Sequence, residues 1–267
     1  MFKRESEGIL LIIGCGNMGG ALALGLKKGL FDRVLFYDIE TSKASSLAAK
    51  TGGESVLTLK DALIEADVVL LAVKPQSFPK LMAEAASCFR NNQIVVSIMA
   101  GVTIKSIAAL IPVKTDIVRA MPNTPALVGE GLTAICGASE QAMGTAESLF
   151  SGVGRVMRTT ENSMDSVTAI SGSGPAYLFY YAEAMLKAAA AQGFNREDSN
   201  TLVYQTIKGA VKLLLDSGEE PELLRKKVTS PGGVTEAAVA ELKDNGFEEL
   251  IAKAIDRGVS RSKALGK

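Results

Sequence analysis

The chain has 267 residues, with 29 Lys and Arg against 29 Asp and Glu, and no His. A net charge of zero gives no reason to expect nucleic acid or an anionic membrane as a partner. The missing His excludes a His-based triad, an imidazole acid–base and a His-ligated zinc, so a proton donor must be another side chain or water. The length suits one large or two modest domains. No apolar stretch approaches ~20 residues, so no membrane span is expected. Met1–Glu7 is charged and lacks the apolar core of a secretory leader. Cys15, Cys88 and Cys136 are odd in number and widely spaced. They suggest a reducing, cytoplasmic setting, with no disulfide framework and no metal site.

In chain order, Ile9-Leu10-Leu11-Ile12-Ile13 is an apolar run too short for a typical helix and right for a buried strand. Gly14-Cys15-Gly16-Asn17-Met18-Gly19 follows, and then Ala21, Leu22, Leu24, Leu26 and Leu30, spaced for a helix packed on a sheet. Strand, G-x-G-x-x-G and helix is the dinucleotide-binding order. In that order Gly14 makes the tight turn, Gly16 lets the backbone approach a pyrophosphate, and Gly19 lets helix and strand pack closely. A second strand, Arg33–Tyr37, ends at Asp38, which follows Gly19 at about the 20-residue spacing expected of a ribose-binding carboxylate. Such a carboxylate suits the ribose hydroxyls of NAD and repels the extra phosphate of NADP. Thr41, Ser42, Lys43 and Ser45 could bind that phosphate, so the choice between NADH and NADPH stays open. Asp38 also reads as a helix cap or a turn residue.

Strand-like runs recur at Asp67–Val73, ending at Lys74-Pro75, at Gln93–Met99, ending at Ala100-Gly101, and at Asp116–Met121, which runs into Pro122-Asn123. Helical stretches such as Leu59–Ala66 and Ile104–Leu110 lie between them, and Leu132–Cys136 and Arg155–Met157 read as later, edge-type strands. The alternation predicts a mainly parallel, doubly wound α/β sheet. Ligands of such sheets bind at the carboxyl ends of the strands, which places Lys74, Ala100, Gly101 and Asn123 near a nicotinamide. Lys74 and Asn123 read equally well as solvated loop residues.

Beyond Thr159–Asn162 helical spacing takes over. Ser171-Gly172-Ser173-Gly174-Pro175 interrupts it. Helices are predicted over Ala176–Ala191, Ser199–Leu215, Glu220–Val228, Val234–Asn245 and from Phe247 onward. Small residues and a high apolar content suggest an all-helical part that pairs with a second copy of the chain. Within it, Ser230-Pro231-Gly232-Gly233-Val234-Thr235 carries a loop into a helix. Pro231 fixes φ, the glycines permit unusual backbone shapes, and outward N–H groups make a site for a small anion such as a carboxylate. Arg225-Lys226-Lys227, one turn earlier, reads as a solvated helix end.

The chain resembles the pyrroline-5-carboxylate reductases over essentially its whole length. The resemblance rests on Ile13–Gly19, Ala72-Val73-Lys74-Pro75, Ala100-Gly101-Val102-Thr103, Arg119–Pro125 with Leu127-Val128, Ser171–Tyr177 and Val228–Thr235. It implies a Rossmann-type domain, residues 1–160, followed by a helical substrate-binding and dimerisation domain, residues 161–267. It implies hydride transfer from NADPH or NADH to the C=N carbon of 1-pyrroline-5-carboxylate, giving L-proline, in a homodimer that several members build into decamers. By the same resemblance Ser230 and the N–H groups of Gly233 and Val234 hold the substrate carboxylate, Thr235 bonds the ring nitrogen and Val228 packs against the ring. Gly14, Gly16, Asn17, Met18 and Gly19 would carry the pyrophosphate. Ala72, Lys74 and Ala100 would lie near the nicotinamide ribose and ring, and Pro75, with the strand-end residues Gly101 and Asn123, is counted among the cofactor-binding residues. Asp38 departs from the common NADPH pattern, in which that position is often uncharged. Two other readings stand beside this one: a different NAD(P)-dependent imine or hydroxyacid oxidoreductase of similar plan, and a non-catalytic dinucleotide-binding regulator.

Overall fold

The computed structural model describes residues 8–266, so the charged Met1–Glu7 stretch lies outside the described residues. The chain forms two compact units. The larger runs to Ser173 and takes in the chain again from Arg257; the smaller is Gly174–Asp256.

The larger unit begins with β1 (Ile9–Ile13), α1 (Asn17–Gly25), β2 (Arg33–Tyr37), α2 (Thr41–Thr51), β3 (Glu54–Ser55) and α3 (Leu59–Glu65). It continues through β4 (Val68–Leu71), α4 (Phe78–Ala85), β5 (Ile94–Ser97), α5 (Ile104–Ala108) and β6 (Asp116–Met121). It is completed by β7 (Gly131–Gly137), α6 (Glu140–Phe150), β8 (Gly154–Arg158) and α7 (Met164–Val167). All eight strands form one sheet in the order β3-β2-β1-β4-β5-β6-β7-β8. Every pairing is parallel except β6 with β7. The order reverses direction between β1 and β4, which opens a crevice at the carboxyl ends of those strands.

Helices cover both faces, which is why the central strands are continuous apolar runs. Alternate residues serve opposite faces. Leu10, Ile12, Phe36, Val68, Leu70 and Val96 pack with Leu22 of α1 and Leu47 of α2. Leu11, Ile13, Leu35, Val69, Leu71 and Val95 pack with Leu63 of α3, Phe78 and Met82 of α4, and Ile107 of α5.

The predicted strands are present: β1, β2 and β6 match their runs, β4 and β5 are three residues shorter than theirs, and β7 and β8 are two residues longer. β7, expected at an edge, lies between β6 and β8 because it pairs with both, and only β8 is an edge strand of the two. β3 has no counterpart in the sequence reading: it is two polar residues paired to β2, with no apolar run to mark it. The interruption expected at Ser171–Pro175 is not an open loop. Thr168–Gly172 forms a π-helical turn that leads, through Ser173, into the next helix.

The smaller unit holds α8 (Gly174–Ala191), α9 (Arg196–Ser217), α10 (Pro221–Lys227), α11 (Val234–Asp244) and the start of α12 (Phe247–Leu265). α9 starts at Asn195, whose side chain accepts from the Asp198 amide, and stops at Gly218 in the left-handed conformation. Only Ser199 and Val203 of this unit are buried among the described residues. Among the described residues no helix is long and apolar enough to cross a membrane.

Candidate functional site

The glycine turn after β1 takes the shape that its residues require. Gly14 has φ +102°, a conformation that favours glycine, and a Cβ there would lie 2.6 Å from the Ala72 carbonyl oxygen. Its N–H donates to the Tyr37 carbonyl at 2.8 Å, which binds the turn to the end of β2. A Cβ on Gly19 would run into the Gly14 carbonyl, whereas the space beside Gly16 is open. α1 starts at Gly16 with no side-chain cap, so its first-turn amides lack a side-chain acceptor. Open space over uncapped amides at a positive helix end fits a dinucleotide pyrophosphate.

Asp38 sits where β2 ends. One carboxylate oxygen accepts the Cys15 amide at 2.7 Å and the other the Glu40 amide at 2.9 Å. A carboxylate has about four acceptor positions, so room remains for ribose hydroxyls. Lys43, expected as a phosphate partner, is instead paired with Glu40 at 2.7 Å. Burial, and then the Asp38 charge, push the Cys15 thiol up to about 12, so it stays protonated and takes part through its size.

The loops after β4, β5 and β6 bring Ala72, Lys74 and Pro75, then Ala100 and Gly101, then Asn123 to the carboxyl edge of the same sheet. Lys74 is exposed at the start of a short 3₁₀ turn. Asn123 is not a free loop residue. Its Oδ1 accepts the Leu132 amide at 2.9 Å, and its Nδ2 donates to the Ser171 hydroxyl at 3.2 Å, bracing the π turn. π turns cluster at functional sites.

In the smaller unit, the Ser230–Thr235 turn has Gly232 at φ +67° and enters α11 through Gly233. The geometry differs from expectation at one amide. Gly233 donates to the Ser230 carbonyl at 3.0 Å, because the turn closes on itself, so this N–H is not free for a ligand. The Gly232 amide donates to Glu236 Oε2 at 2.7 Å. Val234 and Thr235 hold the first-turn amides of α11, which has no side-chain cap. Val228 and Val234 are 63% and 89% exposed in the single chain. Glu236 was not singled out in the sequence, yet its place three residues after Gly233 is the signal of an acidic side chain reaching back over a helix start.

Among the described residues no group of three or more His, Cys, Asp or Glu could hold a metal ion. Residues 161–265 match a family model described as pyrroline-5-carboxylate reductase dimerisation, and residues 9–101 one described as NADP oxidoreductase coenzyme F420-dependent. The pyrroline-5-carboxylate reductase of Pseudomonas aeruginosa is 36% identical over 264 residues, covering 97% of each chain. That of Escherichia coli is 34% identical, over 96% of this chain and 97% of its own. The solved structure of the Coxiella burnetii enzyme superposes with a TM-score of 0.88 at 33% identity, over 99% of this chain and all of the other. A Plasmodium falciparum pyrroline carboxylate reductase, solved with NADP bound, superposes at 0.86 with 28% identity and full coverage of both chains.

Proposed function

Because this chain belongs to the pyrroline-5-carboxylate reductase family, an oxidoreductase family using NADPH or NADH in proline biosynthesis, we propose a role for each of its two glycine turns. The single observation that carries the reading is that α1 and α11 each start at a glycine with no side-chain cap, one at the end of a parallel strand and one after Ser230-Pro231.

The first turn holds the dinucleotide. Gly14, Gly16, Asn17, Met18 and Gly19 carry the pyrophosphate, and Asp38 faces the ribose. Ala72, Lys74, Pro75, Ala100, Gly101 and Asn123 frame the nicotinamide end. NAD(P)H bound there supplies a hydride to the C=N carbon of 1-pyrroline-5-carboxylate. The second turn holds the substrate. Ser230 and the Val234 amide bind the carboxylate, Thr235 bonds the ring nitrogen and Val228 covers the ring. The Gly233 amide joins them only if the substrate displaces the Ser230 carbonyl from it. The imine nitrogen is basic enough to arrive protonated, so the side chains need only position it, and a chain without His is sufficient.

The helical unit pairs with a second copy of the chain, as its exposed apolar faces and the dimerisation model support. Higher assemblies such as decamers build on that pair. Three free cysteines, two of them buried, suit a reducing cytoplasm.

Thr235→Ala is expected to lower kcat at least about tenfold, the scale of a hydrogen bond to a charged group, while the Kd for NAD(P)H stays unchanged. Steady-state kinetics beside cofactor titration reads both. Unchanged turnover removes Thr235 from the substrate.

A further inference from the structure

One charge network, built on a buried arginine, bonds the loop after β5 where it enters α5 and bonds the stretch of α12 that packs against its Gly101. Arg119 on β6 is 2% exposed, and its guanidinium faces Glu161 at 3.7 Å and Asp165 at 3.4 Å. Glu161 Oε1 accepts the Ile104 amide at 2.7 Å, which fixes the residue where the loop becomes α5. Asp165 Oδ1 accepts the Ser262 hydroxyl at 2.6 Å, which fixes the end of α12. That end lies directly against the loop. Gly101 has φ +78°, and a Cβ there would be 2.8 Å from the Ser262 carbonyl oxygen and 3.0 Å from the Gly266 nitrogen.

An ion cluster around a buried arginine is a poor way to gain stability, since desolvation of the guanidinium offsets much of the attraction. What it does well is hold groups in one arrangement. This one connects β6, the segment before the π turn and the last turn of α12; one carboxylate bonds Ile104, just past Ala100–Gly101, and the other bonds Ser262, whose carbonyl lies against Gly101. We propose that Arg119, through Glu161 and through Asp165 with Ser262, is a positioning residue that sets the Ala100–Gly101 loop against the nicotinamide end of the dinucleotide. The inference rests on the reading of that loop as nicotinamide-facing. It assigns the carboxyl end of the chain a part in cofactor placement.

The test uses the full-length protein and two probes: NADH or NADPH, whichever binds more tightly, and the matching nicotinamide-free ADP-ribose. At the rim of the network, Ser262→Ala removes the hydroxyl that donates to Asp165, and Glu161→Ala removes the oxygen that accepts the Ile104 amide. Each is expected to raise the dinucleotide Kd about fivefold, the scale of one hydrogen bond, and to leave the ADP-ribose Kd unchanged. In turnover, the cofactor KM rises while the substrate KM does not, and Ser262→Thr restores the parent values. Arg119→Met leaves two carboxylates without their cation and risks unfolding, so the rim variants carry the test. A general loss of structure would weaken both probes together, and that result overturns the inference. Unchanged affinity for both probes overturns it as well. Failure of the parent chain to bind either dinucleotide overturns the dinucleotide reading together with the inference.

Discussion

On the proposed reading Asp38 serves two purposes with a single side chain. Its carboxylate braces the glycine turn through the Cys15 amide and the start of α2 through the Glu40 amide. With the dinucleotide bound as proposed, the same negative charge, beside a Lys43 already paired with Glu40, would oppose an added phosphate on the ribose. Asp38→Ala is therefore expected to weaken both cofactors and to shift the ratio of kcat/KM toward NADPH by about tenfold, the size of one charged hydrogen bond. A ratio that does not move means that Asp38 acts only as a brace. The place of Asp38 at the end of β2 was legible in the sequence from its distance to Gly19, because that spacing reflects one helix and one strand of regular length. Its partners were not, since hydrogen bonds between residues far apart in sequence leave no local pattern. The same holds for Arg119, Asp165 and Ser262, which meet only once the sheet and the end of α12 are in place. Glu236 was legible in principle, being a local device.

At the scale of elements, the sheet follows from short apolar runs closed by glycine or proline. Burial on both faces makes such runs unmistakable in β1, β4 and β5, where Leu11, Leu70 and Val95 are fully buried. β3 escapes because pairing to β2 alone defines it, and the antiparallel entry of β7 escapes because direction is set by the connection and not by composition. The contact of α1 with β1 depends on the absence of a side chain at Gly19, where a Cβ would meet the Gly14 carbonyl. Gly19→Ala is expected to cost about 1–3 kcal/mol, as overpacking does, and to weaken dinucleotide binding together with it. Denaturant unfolding and cofactor titration on the same variant check the pair. A stable variant with full affinity would show that the turn relaxes freely.

For the whole molecule, the contrast between the two units points to assembly. The sheet unit has a filled core on both faces, while the helical unit leaves Phe179, Tyr180, Leu215 and Leu250 exposed, Phe179 at 65%. That much exposed apolar surface is expected to be covered by a second copy. Phe179→Glu should shift the protein to a smaller species in sedimentation, and unchanged mass would put the interface elsewhere. The helical character of this part was readable from spacing, but its packing was not, because apolar residues on a helix do not reveal whether their own chain or another covers them. The central claim, hydride transfer to a cyclic imine held by the second glycine turn, is tested most directly by turnover with 1-pyrroline-5-carboxylate, following oxidation of NADH and of NADPH separately. The account predicts substrate-dependent oxidation of at least one of them with L-proline formed in equal amount. Binding of both cofactors with no oxidation of either would contradict it.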